Sequence, residues 1–395
     1  MISVRPLVEH DIPAVVALFA RVYPQHRWRS QATCEAYFKE MLFNNPWRDL
    51  RLPSWVAEDR GHVAGLQAVV PRPMMFQGRK LRAAVSTQFI VDPDKRHSLI
   101  ALQLAQACMS GPQDLTLADG ANDESRRICL AIGGTVPSLY NLHWIRPLRP
   151  VRCALSLLED RAALPMPLQY AARPLAAASD ALATRLRPNR FLHQASVLKD
   201  SPLDPGTVLA LLPEVMGGAT LQPAYDLPAL SWLLDQAARK TRHGTLRACS
   251  VLDARQRPIG WYLYYLHTGG VSEVVQIAAR AGAFDDVLVQ LLKDAWRLGA
   301  VAVRGRLDPR HIQEFSHRHC WFRREGTWTL VHSRNPDIIA AFQQGSAFLS
   351  RLDGEWWLRF LGEEQRPHGT QLPQIEAFRI DAMAASCRRV FVRRN

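Results

Sequence analysis

Apolar and polar positions along this chain switch between two periods, one that suits strands and one that suits helices. Residues 3–7 read as a short strand. Ile12, Val15, Val16, Phe19 and Tyr23 then share one face at helical spacing, behind an Asp11 suited to cap the helix and a Pro13 tolerated in its first turn. A second helix is predicted over 31–43, then strands over 55–58 and 62–70 and a hairpin turn around Gly78. Residues 85–91 form an apolar run ending in Asp-Pro, and 98–110 an amphipathic helix. A strand over 115–119, a helix from Asn122 to the Gly133-Gly134 pair and a strand over 140–146 complete the first half. Residues 148–204 are rich in Ala, Pro and Arg and pattern poorly.

The second half repeats the order. Helices are predicted over 206–213 and 227–239, and strands over 245–252, 259–267 and 273–279. A helix follows over 285–298, with Leu288, Leu291, Leu292 and Ala295 on one face. A strand over 300–305, a helix over 309–319, a strand over 327–332, a helix over 337–350 and a strand over 355–360 close the pattern. The order β-α-α-β-β-β-α-β-α-β thus occurs twice, a repeat of pattern and not of residues. With 395 residues, too many for one ordinary core, the chain is expected to hold two units. We place them at 1–150 and 205–395, joined by a connecting segment at 151–204.

Composition narrows the class. Hydrophobic residues make up 48% and charged residues 22%, an ordinary globular balance with no run long enough for a membrane span. The start, MISVRPLVEHDIP, has no apolar signal core, and seven scattered cysteines include no CxxC pair. A reduced, cytoplasmic setting is expected. A net charge of +13 favours anionic partners. Its spread along the chain, apart from small clusters at 184–190 and 388–394, argues for a solvated surface over a nucleic-acid groove.

The element order, with a basic loop after the fourth strand, resembles the GCN5-related N-acetyltransferase (GNAT) superfamily. Two stretches carry the resemblance. Residues 91–101, VDPDKRHSLIA, resemble the family's pyrophosphate loop, and residues 122–134, NDESRRICLAIGG, resemble its following helix. Leu99 stands where the family pattern has its central glycine, and Ala101 keeps the last small residue. The second half resembles the fold alone. The resemblance implies an α/β (α+β) class: two GNAT-like domains, each a mixed, mostly antiparallel sheet flanked by helices. It also implies acetyl-CoA or another acyl-CoA as donor, and an amine as acceptor.

On that reading the donor is held by Phe89, Ile90, Val91, Lys95, Arg96, His97, Ser98, Leu99, Ile100 and Ala101, with Asn122 beyond. Lys95 and Arg96 neutralise a diphosphate, His97 and Ser98 donate hydrogen bonds, and the helix start adds its dipole. The second-half counterpart keeps Arg280 and Gly282, but Asp285 and Asp286 at its helix start repel a diphosphate, so no donor is expected there. Asn122 is expected to cap its helix whatever the function.

Acyl transfer to an amine needs a base for the proton and an acid for the leaving thiolate. Cys129 takes the position of the family's acidic tyrosine, although Ser125, Ile128, Cys129 and Ile132 also form a core-type face. Glu273, Gln276, Gln88 and His143 are the polar strand residues that a shared cleft can use, and each is equally readable as a satisfied polar group. No metal site is expected: His311, His317, His319 and Cys320 cluster, but residues two apart on a helix diverge. Trp261, Leu263 and Tyr265 fall on one strand face and Tyr262 and Tyr264 on the other; one face is core and the other is open to lining an acceptor pocket. Three functions remain: an acyl-CoA-dependent N-acyltransferase, a Fem-like transferase using aminoacyl-tRNA, and a non-catalytic GNAT-like binding protein. The first ranks above the second and the second above the third; the second would explain Leu99 and the charge, and in the third Leu99 and Cys129 mark lost chemistry.

Overall fold

The structure, a computed structural model, describes residues 2–24, 30–95, 98–160 and 198–355, with short stretches between 172 and 182. Arg96, His97, the basic clusters at 184–190 and 388–394 and all but the first residue of the strand predicted over 355–360 lie outside the described residues.

The first half runs β1 (Ile2–Pro6), α1 (Ile12–Val22), α2 (Gln31–Leu42), β2 (Trp55–Asp59), β3 (His62–Phe76), β4 (Arg79–Val91), α3 (Ile100–Met109), β5 (Leu115–Ala121), α4 (Asp123–Ala131) and β6 (Leu142–Pro147). A helix α5 (Pro150–Asp160) follows. The second half runs β7 (Lys199–Pro202), α6 (Pro205–Met216), β8 (Leu221–Pro223), α7 (Leu227–Ala238), β9 (Thr245–Leu252), β10 (Pro258–Leu266), β11 (Val271–Ala279), α8 (Phe284–Arg297), β12 (Ala302–Arg306), α9 (Ile312–His317), β13 (Trp321–Arg324), β14 (Trp328–His332) and α10 (Pro336–Gln343).

Local chemistry accounts for the element ends. Gln77 and Gly78 both adopt positive φ, 49° and 81°, and close the β3–β4 hairpin in a two-residue turn whose twist matches its strands. Asn122 caps α4, its Oδ1 accepting from the Ser125 amide at 2.8 Å. Asp11, expected as a cap, precedes α1 without capping it; its carboxylate accepts from the Val8 amide and pairs with Arg5 at 2.7 Å.

Two sheets result, ordered β1-β2-β3-β4-β5-β14, with β8 beside β3, and β13-β6-β12-β11-β10-β9-β7. Both are mixed: β4–β5 and β11–β12 are parallel and the other pairs antiparallel. The strand predicted to finish the first unit does not join the first sheet. It is β6, and it lies between β12 and β13 in the second sheet. The second half returns β14 to the edge of β5. The halves also share a core, in which Val15, Leu66, Leu211, Leu230, Trp261 and Tyr265 are buried together. Both faces of β10 are core: Trp261, Leu263 and Tyr265 join that cluster, Tyr262 and Tyr264 a second one. Neither face is left for an acceptor pocket. Among the described residues no helix is long and apolar enough to cross a membrane.

Candidate functional site

The first sheet opens into a wedge. β4 and β5 pair from Ala83–Leu115 to Val85–Leu117, after which the strands no longer pair. β4 runs on through Ser86–Val91. Its register against β3 slips between Leu66 and Ala68, a bulge at which Gln88 takes a positive φ of 45°. The cleft so opened measures about 870 Å³ and is lined by Ser86, Thr87, Gln88 and Phe89 from β4, by Ala118, Gly120 and Ala121 from β5, and by α4 and β14. Thr87 is buried, and its Oγ1 has no hydrogen-bond partner among the described residues. At the rim, the Arg126 and Arg324 guanidinium groups each lie over the Trp328 ring, at 4.4 and 4.2 Å from its centroid, and the Trp328 Nε1 donates to Asp123 at 2.8 Å.

The expected donor-binding residues divide. Phe89 and Asn122 line the cleft. Ile90 and Ile100 are buried in the core, and Val91 packs against the same cluster as Ile100. Ala101 is half-buried on the first turn of α3. The described residues of the loop before α3 already have partners. Lys95 pairs with Asp59 at 2.8 Å, and the amides of Lys95 and Ser98 donate to Asp92 O and Lys95 O. Ser98 Oγ donates to Lys95 O at 2.6 Å and accepts from the Ile100 amide at 3.4 Å. Leu99 stands at the helix start with its side chain 64% exposed.

The expected catalytic residues divide as well. Cys129 lines the cleft, and burial pushes its thiol up to about 11. Glu273 and His143 do not line it. Glu273 is buried on β11 between Arg304 at 2.6 Å and Arg351 at 2.7 Å. His143 is buried on β6, 3.7 Å from Glu325, and burial holds its imidazole far below the ordinary value and so neutral. Both belong to a buried ion-pair network in the second sheet. Gln88 lines the cleft, whereas Gln276 accepts from the Trp261 indole and donates to Ser350 and Tyr225. In the second-half loop, Arg280 pairs with Glu214 and Asp285 with Arg318. His311 stacks on Phe284 with centroids 3.7 Å apart.

Among the lining residues not singled out for the site from the sequence is Glu355, predicted only as the start of a strand. Glu355 comes from beyond α10, yet its Oε1 accepts from the Gly120 amide at 2.8 Å. Its own amide donates to Asp119, whose carboxylate is also held at 2.7 Å by Arg306. Gly354 makes the approach possible, since a Cβ there would lie 2.2 Å from the Asp119 carboxylate. A glycine next to an acidic residue was the available signal, and it says nothing about where in space the pair lands.

No family model matches the chain, and no curated protein does. Among solved structures, a GCN5-related N-acetyltransferase from Anabaena variabilis ATCC 29413 is similar with a TM-score of 0.54 at 12% identity, covering 85% of this chain and 74% of that one. A conserved protein of unknown function from Enterococcus faecalis V583, described as a probable N-acyltransferase, is similar with a TM-score of 0.54 at 8% identity, covering 87% and 74%. Sheet order, parallel wedge and these neighbours agree: the chain has the fold of the GCN5-related N-acetyltransferases.

Proposed function

We propose that this chain is an N-acyltransferase that takes an acyl group from a thioester, acyl-CoA, lying in the wedge between β4 and β5, and passes it directly to an amine. The observation that carries the reading is the divergence of β4 from β5, which makes a cleft sized for a ligand beside a strand edge. An extended amide-bearing arm matches the edge Ser86–Phe89, and the buried, unpartnered Thr87 hydroxyl supplies one further hydrogen bond. Backbone donors near the bulge suit the oxygen on which charge develops as the amine attacks. In this reading Cys129, which lines the cleft with its thiol protonated, gives a proton to the departing thiolate. Glu273 and His143 keep a structural part in the second sheet.

The diphosphate end of the donor fits less closely. The loop amides of Lys95, Ser98 and Ile100 are already bonded, and Lys95 is paired. This favours, as a second reading, a donor without that diphosphate, such as an aminoacyl-tRNA, whose backbone suits a chain of net charge +13.

Calorimetric titration of acetyl-CoA into the wild type and into Ala118→Trp, which fills the wedge from β5, separates the two. Binding in the micromolar range that weakens about tenfold or more in the variant, about 1.4 kcal/mol, supports the acyl-CoA reading. No heat in the wild type removes it, and salt-dependent tRNA retention then supports the second.

A further inference from the structure

We propose that Glu355, contributed by the far half of the chain, is the proton acceptor of this site, and that the acceptor substrate arrives as a protonated primary amine. The inference rests on the acyl-transfer reading and adds to it a residue and a substrate class.

Among the described residues, three carboxylates line the cleft. Asp123 and Glu124 are exposed at its rim on the first turn of α4, and Asp123 is engaged by Trp328 and Arg126. Glu355 is 7% exposed. Its position is set from three sides: Gly120 donates to its carboxylate, Asp119 accepts from its amide, and Gly354 lets the chain press against Asp119. Asp119 is in turn fixed by Arg306 from β12, a pair with side chains 0% and 3% exposed. This carboxylate is held firmly against β5 and lines the wedge. Fixed placement is what makes a proton acceptor effective.

The surroundings also select the nucleophile. Among the described residues, Asp123, Glu124 and Arg127 on α4, Arg324 on β13 and His332 on β14 line the cleft together with Glu355; Asp119 and Arg306 hold it from β5 and β12, and Arg351 and Asp353 precede it in its own segment. Beside Arg127 and Arg324, the exposed Glu124 and the buried Glu355 offer carboxylates to a cationic amine. In the step itself, the ammonium gives one proton to Glu355. The freed nitrogen lone pair attacks the thioester carbonyl carbon, the C–N bond forms and the C–S bond breaks. Cys129 gives its proton to the departing sulfur, the remaining extra proton on nitrogen restores the Cys129 thiol, and Glu355 returns its proton to water.

Acetyl-CoA turnover is followed by thiol release with two probe nucleophiles. Benzylamine is protonated at pH 7 and needs a base, whereas hydroxylamine is already neutral. With the wild type, both should be accelerated. In Glu355→Gln the benzylamine rate should fall about 10²–10⁴-fold at pH 7 and recover as pH rises, and the hydroxylamine rate should fall by less than about tenfold. Glu355→Asp, which keeps the charge on a shorter arm, should lie between and covers the case in which Glu355→Gln does not fold. Wild-type acceleration of neither amine overturns the acyl-transfer reading, and this proposal with it. Acceleration of hydroxylamine alone, or an equal loss with both amines in the variants, overturns the role of Glu355 and leaves the acyl-transfer reading standing.

Discussion

The two sheets each contain one parallel strand pair that diverges, and they use the divergence in opposite ways. In the first sheet the edge of β4 beyond Val85 faces a cleft of about 870 Å³. In the second, β11 and β12 pair from Val271–Ala302 to Val274–Gly305, and the segment after α10 then packs on the strand that is left. The Arg351 amide donates to Val275 O at 3.1 Å, and Ser350 accepts from Gln276 at 3.0 Å. Trp144 from the exchanged strand β6 packs against Gly305. The same segment that closes the second wedge continues to Gly354 and Glu355, which reach the first. Repetition of one element pattern has thus given one wedge that is open to a ligand and one that is filled.

The comparison is broken most severely at its link. Arg306→Ala leaves the Asp119 carboxylate buried without its cation, and should cost about 3–5 kcal/mol in urea unfolding. A loss under about 1 kcal/mol would mean that the link between the wedges is not held by this pair. A smaller change sharpens the contrast between open and filled. A Cβ at Gly305 would meet the Val274 Cβ at 3.0 Å and the Trp144 indole at 3.2 Å, so Gly305→Ala should cost about 1–3 kcal/mol while acetyl-CoA binding survives. Ala118→Trp, a far larger insertion, should do the reverse. Equal stability losses from both would show that the first wedge is packed like the second.

The smallest effect is a pH slope confined to the filled side. Buried His143 takes up its proton only well below its ordinary 6.5. Below that pH the unfolded chain therefore binds a proton that the folded chain refuses, and stability falls as pH falls. His143→Gln should remove up to about 1.4 kcal/mol per pH unit of this slope between pH 6.5 and 5, read from urea midpoints. Glu325 is depressed in its titration and stays ionised through that window, so it does not confuse the sign. An unchanged slope would mean that His143 titrates in the fold like an exposed imidazole.

Much of the local structure was legible because it depends on neighbours in sequence. The Asn122 cap, the turn at Gly78, the helical face of α8 and the alternation of Trp261 to Tyr265 all follow from spacing of one to four residues. The strands β7, β8 and β13 went unpredicted because each is short and none is fully buried along its length, so a period of two has no room to show. The site was half legible. Phe89, Asn122 and Cys129 do line the cleft, since they follow from the family pattern. Glu273 and His143 were chosen as polar residues on strands, a property that ion-pair networks and active sites share, and here the network holds them.

The sequence by itself determined the periodic elements, their order and its repetition, because hydrophobic spacing and caps act over a turn or a pleat. Only the tertiary structure decided which strand each edge accepts, which wedge stays open, and that a glutamate beyond the last helix meets Gly120, 235 residues earlier. A strand's alternation specifies which face is buried but not which edge it joins. Edge choice is made by long-range backbone pairing and by buried pairs such as Arg306–Asp119, and neither has a signature within any local window of the chain.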